Sequence, residues 1–202
     1  MNFSEDLILE ALKQNILPLW NAFSFFVTYA NIDKRSPARH PERSDNEVEG
    51  SPTIDKMLRQ AQHDAASSEN RLDTWILGEL AVVTKTIDSD LSGYDITHAS
   101  RQIASFLENL TNWYIRRSRR RFWKSDSDGD KASAYATLYT ILTQFCVIAA
   151  PFMPIIAEYI WKALTGDDLN NSVHLQDYPT RDISPDTVLA HDMQYAQTIV
   201  RI

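Results

Sequence analysis

The most restrictive feature of this sequence is the spacing of its apolar residues. Leu72, Trp75, Ile76, Leu80, Val83 and Ile87 recur at intervals of three and four, the period that gathers side chains on one face of an α-helix. The pattern repeats along the chain. Ile96, Ala99, Ile103, Leu107, Leu110 and Tyr114 form a second stripe, and Tyr135, Leu138, Leu142, Phe145, Ile148 and Ala149 a third. Ile155, Ile156, Tyr159, Ile160 and Leu164 form a fourth, and Val188, Leu189, Met193, Ala196 and Val200 a fifth, which runs on to the last residue. Starts and stops fall between the stripes. Asn70 is a cap candidate with Asp73 behind it, Ser92 and Gly93 close a helix, Pro151 and Pro154 break the chain, and Ser184-Pro185-Asp186 opens the last segment. Only five of 202 residues are glycine, which favours long helices over turn-rich strands. Amphipathic helices joined by short turns predict an all-α helix bundle.

The N-terminal part fits the same scheme with one interruption. Ser4 is a cap candidate, Glu5 and Asp6 suit the positive end of a helix, and Phe3, Leu7, Leu12 and Ile16 begin an apolar face. Pro18 lacks an amide hydrogen and should kink or divide this helix. Beyond it, Trp20, Phe23, Phe25, Phe26 and Tyr29 cover more than one helical face, so one edge is expected to be exposed or packed on another domain. Residues 33–70 break the pattern: the stretch is polar, carries Pro37, Pro41, Pro52 and Gly50, and has no period. It reads as a disordered or loosely held insertion, with a short helix possible over 54–66. Its wording, HPER followed by VEGSPT and KMLRQAQHD, also resembles translated interspersed-repeat sequence of some bacterial genomes. The expected organisation is first bundle helices over 1–33, an insertion over 34–69, a bundle core over 70–166, and an extended segment with the start of a C-terminal appendage helix over 167–202. The stretch SVHLQDYP, 172–179, is expected to be extended.

Charge is distributed unevenly over this scaffold. The chain carries a formal net charge of -7, yet the segment NWYIRRSRRRFW, 112–123, holds Arg116, Arg117, Arg119, Arg120 and Arg121 with Lys124 just after. Those six cations contribute +6, which leaves -13 on the remainder. Such a local field attracts a polyanion to one place and repels it elsewhere. Arginine forks match phosphate oxygens, and exposed aromatic rings stack on unpaired bases. Trp113, Tyr114, Phe122 and Trp123 flank the arginines, a combination that suits single-stranded or looped RNA better than duplex DNA. The competing reading is a solvated helix face with Trp113 and Tyr114 in the core. Arginines four apart repel on a helix, and placement at a helix C-terminus offsets part of that.

Other chemistries find little support. Cys146 lies in an apolar run and reads as a buried small hydrophobe in a reducing compartment. His40, His63 and His174 have no ligand partners at metal spacing. The acids of 124–131 resemble the start of a calcium loop but lack its twelfth-position glutamate. There is no P-loop, GxGxxG or GxSxG motif, no uninterrupted apolar run of about 18 residues, and no basic-then-apolar leader pattern. A cytoplasmic protein without membrane partners is the expectation, and residue chemistry alone points to a binding module.

Five stretches then carry a resemblance: LPLWNAFSFFVTYANID at 17–33, LDTWIL at 72–77, NWYIRRSRRRFW at 112–123, LTQFCVIAAPFMPIIAEYIW at 142–161, and SVHLQDYP at 172–179. In this order they resemble the anticodon-binding region of class I aminoacyl-tRNA synthetases, with wording most similar to the isoleucyl branch; the basic motif is shared with the valyl and leucyl enzymes. The resemblance covers nearly all of the chain outside 34–69. It implies a helical bundle that follows a catalytic domain of the same parent chain and holds the anticodon stem-loop of an isoleucine-accepting tRNA. The parent enzyme uses ATP to activate the amino acid before transfer to tRNA. The HIGH and KMSKS signatures of that catalytic domain are absent from these residues, so the expectation is a fragment that binds tRNA without aminoacylating it and has no cofactor of its own. Carried to residues, the resemblance assigns Trp20 and Asn21 to the anticodon, Arg117, Arg120 and Arg121 to phosphates, and Trp123 to stacking. Arg116 and Arg119 belong to the same basic element, with acidic groups of the core or a neighbouring domain as alternative partners. The alternatives are a helical protein-interaction module, or the same domain serving valine or leucine.

Overall fold

The apolar stripes fold as helices that share one core. The computed structural model describes residues 4–35, 70–123, 129–166, 171–179 and 186–201. Of the insertion expected over 34–69, residues 34 and 35 are helical and the rest, with the short helix over 54–66, lies outside the described residues, as does the first part of the acidic loop, 124–128. In chain order the elements are α1 (Glu5–Ala11), a π-helical turn (Leu12–Ile16), α2 (Leu17–Arg35), α3 (Arg71–Ser92), α4 (Ile96–Glu108), a second π-helical stretch (Asn109–Ile115), α5 (Arg116–Trp123), α6 (Gly129–Ala149), α7 (Pro154–Thr165), a 3-10 turn (Val173–Leu175) and α8 (Thr187–Arg201). No strand occurs among the described residues. The protein is an all-α bundle.

Helix α6 is the centre. It packs against α2, α3, α5 and α7, and Leu138, Ile141, Leu142, Phe145, Cys146 and Ile148 are fully buried. A helix buried on nearly all sides has no single apolar face. For the same reason α6 is apolar and long enough, by composition, to cross a membrane; here its neighbours in the bundle cover it. Around it, α3 contributes Trp75, Ile76, Leu80 and Ile87, and α4 contributes Ile103, Phe106 and Leu107. Ile96, expected to join the buried stripe of α4, is exposed at the first turn, beside the cap formed by Asp95 on the His98 amide.

Pro18 does not end the first helix. Residues 5–35 stay helical, and the interruption is absorbed one turn earlier by the π-helical stretch. There the Leu17 amide donates to the Leu12 carbonyl, five residues back, which widens the turn that must accommodate the proline ring. The other boundaries follow the sequence. The Asn70 side chain accepts the Leu72 amide at 3.0 Å, and Asp186 accepts the amides of Val188 and Leu189. Ser4 occupies the first cap without a side-chain hydrogen bond. The stretch 172–179 is extended at its flanks but contains a short 3-10 turn. It runs as a strap: Glu158 of α7 accepts the Val173 amide at 2.8 Å and the Ser172 hydroxyl at 3.0 Å, and the Tyr178 hydroxyl donates to the Thr84 carbonyl of α3.

Two predictions follow from this packing. Burial pushes the Cys146 thiol up to about 12, so at pH 8 only about one thiol in ten thousand is ionised. Iodoacetamide, followed by mass spectrometry, should leave native Cys146 unmodified and alkylate it after denaturation. Burial opposes ionisation of Glu158, but the Val173 amide, the Ser172 hydroxyl and Lys162 outweigh it and hold the carboxyl below its ordinary value. A lowered folded pKa gives stability that is present above the unfolded value and lost as pH falls through the folded one. Hydrogen-exchange protection of the Val173 amide should therefore fall below about pH 4, and Glu158→Gln should remove that acid dependence.

Candidate nucleic-acid interface

The second π-helical stretch decides which arginines reach solvent. At regular α-helical spacing, the buried stripe through Ile103, Phe106 and Leu110 would meet Arg117 on its next passes. The wider π turns delay it by about one residue, and the buried positions become Leu110, Tyr114, Ile115, Ser118, Arg121 and Phe122. Arg116, Arg117, Arg119 and Arg120 are exposed. The continuous rod made by α4, the π-helical stretch and α5 thus has a buried face and two accessible ones.

The first accessible face borders a cleft of about 720 Å³. Asn21, Pro18 and Phe25 of α2 line one side, and Glu108, Asn112 and Arg119 line the other. Its lining combines the amides of Asn21 and Asn112 and the Arg119 guanidinium with apolar Ala22, Phe25, Ala104 and Ile115, a mixture that suits a flat ligand with polar edges. The second face carries Arg116, Arg117 and Arg120. The Arg117 guanidinium lies over the Trp113 ring, 3.7 Å from its centroid, a cation–π contact that holds the fork flat while its other side stays open.

Arg121 is placed differently from the phosphate role expected for it. Its two terminal nitrogens donate to the Asp73 carboxylate at 2.6 and 2.8 Å. One of them also reaches the Asp130 carboxylate at 2.8 Å and the Asp130 carbonyl at 3.0 Å. Burial alone would lower the pKa of Arg121, but the hydrogen bonds and charge of Asp73 reverse this and raise it. The Tyr114 hydroxyl donates to Asp73 at 2.8 Å; burial first, then the charge of Asp73, keeps this phenol well above its ordinary value. The arginine that bonds core acids is therefore Arg121, whereas Arg116 and Arg119, for which that role was an alternative, face outward.

The two tryptophans are set apart from the cleft. Trp20 precedes Asn21 and so points about 100° away around the helix. Its ring packs 5.7 Å from Tyr159 of α7 and 5.6 Å from Phe23 and is 40% exposed. Trp123 ends α5 with its ring 59% exposed, and its indole N–H donates to the Tyr29 hydroxyl. The structure thus brings Asn21 and Arg119 to one cleft, groups Arg116, Arg117 and Arg120 on the adjoining face, and leaves Trp20 on the side of α7.

Sequence reasoning missed Asp73, Asp130, Asn112 and the Trp113–Arg117 pair. Asp73 had a signal: it stands three residues before Ile76 and seven before Leu80, on the stripe that must be buried, where a carboxylate requires a partner. Asn112 and the stacked pair had none, because their faces depend on the π-helical register.

Residues 73–202 match the family described as the anticodon-binding domain of tRNA ligase. The chain belongs to this family. Among curated proteins it is 40% identical over 179 residues to an isoleucine–tRNA ligase of Treponema denticola, covering 89% of this chain and 15% of that protein. It is 43% identical over 183 residues to an isoleucine–tRNA ligase of Dehalococcoides mccartyi, with 89% and 16% covered, and 37% identical over 204 residues to one of Clostridium novyi, with 99% and 17% covered. The chain spans about one-sixth of the length of these relatives.

The geometry separates the arginines by a stability test. Arg121→Ala leaves Asp73 buried without its main counter-charge and should cost about 3–5 kcal/mol. Arg120→Ala, on the open face, should stay within about 0.5 kcal/mol of the parent chain. Urea unfolding followed by circular dichroism distinguishes the two, and equal small losses would contradict the buried pair.

Proposed function

We propose that this chain holds the anticodon stem-loop of an isoleucine-accepting tRNA, as the anticodon-binding part of a longer isoleucine–tRNA ligase. The observation that carries this reading is the grouping on one side of an acidic molecule: Arg116, Arg117 and Arg120 outward on α5, with Arg119 and Asn21 at the adjoining cleft. The outward arginines serve the phosphate backbone, which supplies affinity without reading sequence. The cleft receives unstacked bases, with Asn21 offering an amide to a base edge. Trp123 supplies a ring for stacking at the end of α5. The relatives' names favour isoleucine over valine or leucine. The ATP-dependent activation of the amino acid falls to parts of the ligase outside these residues, to which no cofactor is assigned.

Trp20 takes a different part in this proposal. Ile16, Leu17 and Trp20 fall on one helical side, and Ile155 and Tyr159 of α7 are likewise exposed, with Trp20 and Tyr159 in contact. This apolar strip suits the catalytic domain of the same parent chain, which makes Trp20 a docking residue more than a reader of bases.

A competition titration of isoleucine tRNA against an anticodon-swapped version, at two salt concentrations, tests the reading. Preference for the isoleucine anticodon and weakening with salt are expected. Asn21→Ala should narrow that preference by about 1–2 kcal/mol. Arg120→Ala should weaken both tRNAs alike and make the salt slope shallower by about 0.7–0.9, the value of one phosphate contact. Absence of salt-dependent binding would overturn the proposal, and equal affinity for both tRNAs would remove Asn21 as a reader.

A further inference from the structure

The Asp73 carboxylate meets the basic rod at two points. Tyr114 and Arg121 stand seven residues apart, about 10 Å along the axis, and both donate to it, at 2.8 Å from the phenol and at 2.6 and 2.8 Å from the guanidinium. From the other side, Ser133 of α6 donates at 3.0 Å. Asp73 itself is fully buried on α3, so it sits on the bundle core while gripping the rod from within. Two grips on one face of a rod oppose its rotation about its own axis. That angle decides where the outer arginines point, because a shift of one residue turns a side chain by about 100°. Within α5 the buried positions are Ser118, Arg121 and Phe122; Phe122 packs among Phe25, Tyr29 and Tyr135, and the carboxylate grip adds directional bonds to that aromatic contact.

We propose that Asp73 is a positioning residue for tRNA binding: by holding Tyr114 and Arg121 together it fixes the rotation of α5 at which Arg116, Arg117 and Arg120 engage phosphates simultaneously while Arg119 faces the cleft. This rests on the tRNA reading above. Asp73 touches no RNA. Its loss lowers the number of phosphate contacts made by each bound molecule as well as the stability of the fold, and the two effects separate experimentally. A purely structural defect reduces the fraction of competent protein but leaves the salt dependence of the competent molecules unchanged.

The test measures affinity of the 202-residue chain for isoleucine tRNA over a salt series, with competent fraction obtained by stoichiometric titration and folding by circular dichroism. Asp73→Asn should bind about tenfold more weakly near 0.1 M salt, with a slope shallower by about 1.4–1.8, the equivalent of two lost phosphate contacts. Tyr114→Phe keeps the ion pair and releases one grip; it should show the same change in smaller degree, and it decides the matter if Asp73→Asn does not fold. Phe145→Leu, which loosens the Phe106–Phe145 packing of the core without touching Asp73, should lower stability and keep the parent slope. Parent slopes in Asp73→Asn and Tyr114→Phe would overturn the positioning role alone, as would an equal loss of slope in Phe145→Leu. A parent chain without salt-dependent binding would overturn the tRNA reading and this inference with it.

Discussion

The basic helix depends on one buried charge. Four exposed arginines and Arg121 stand within six residues, with Arg116–Arg120 and Arg117–Arg121 a helical turn apart, where like charges destabilise. Asp73 and Asp130 bring two negative charges to Arg121, so the five arginines and two acids together carry +3. Placing a carboxylate in the core is costly unless its acceptor sites are filled. Asp73 receives donors from Tyr114, from both arms of Arg121 and from Ser133, close to the full capacity of a carboxylate. A buried pair of this kind often adds little net stability compared with apolar residues of the same size. What an apolar pair would not supply is direction: a fork and a phenol aimed at one acceptor hold at one angle, whereas packed aliphatic groups tolerate several.

Helix α6 extends this arrangement to the rest of the bundle. Asp130 bonds Asn70, the cap of α3, at 3.1 Å. Its neighbour Lys131 bonds Asp33, near the end of α2, at 2.7 Å, and Tyr135 bonds the other oxygen of Asp33. The last turns of α2 and the first of α3 are thus tied separately to one end of α6. The stretch over which the sequence pattern lapses, between 33 and 70, therefore starts and ends at residues bonded to α6.

The fold was legible because its information is local. Stripes at three and four, caps at Asn70 and Asp186, and prolines between helices are each read within a dozen residues, and all five apolar stripes after residue 70 appear as helices. The interface was legible only in composition. Five arginines announce a basic surface, but which of them lies inside is set by a π-helical stretch and by a carboxylate 48 residues away in sequence. Neither has a composition of its own. The same holds at Pro18, where the residue signals trouble for a helix but not the π turn that absorbs it. Local rules fail where a helix changes its pitch, and both π-helical stretches among the described residues flank the cleft, since Lys13 and Gln14 of the first line it with Thr111 and Asn112 of the second.

That coincidence has an electrostatic counterpart. The remainder of the chain carries a net charge of -13, which disfavours a polyanion away from α5. At physiological salt the field of exposed charges fades over about 8 Å, so attraction is felt only close to α5 and the cleft rim. On this account the acidic surface weakens overall affinity but restricts the approach to one orientation, in which phosphates meet α5 first. Bases then lie within reach of Asn21 and Asn112. In the proposed complex, affinity for any RNA and discrimination among RNAs fall to adjoining faces of a single rod, whose rotation is fixed from inside by Asp73.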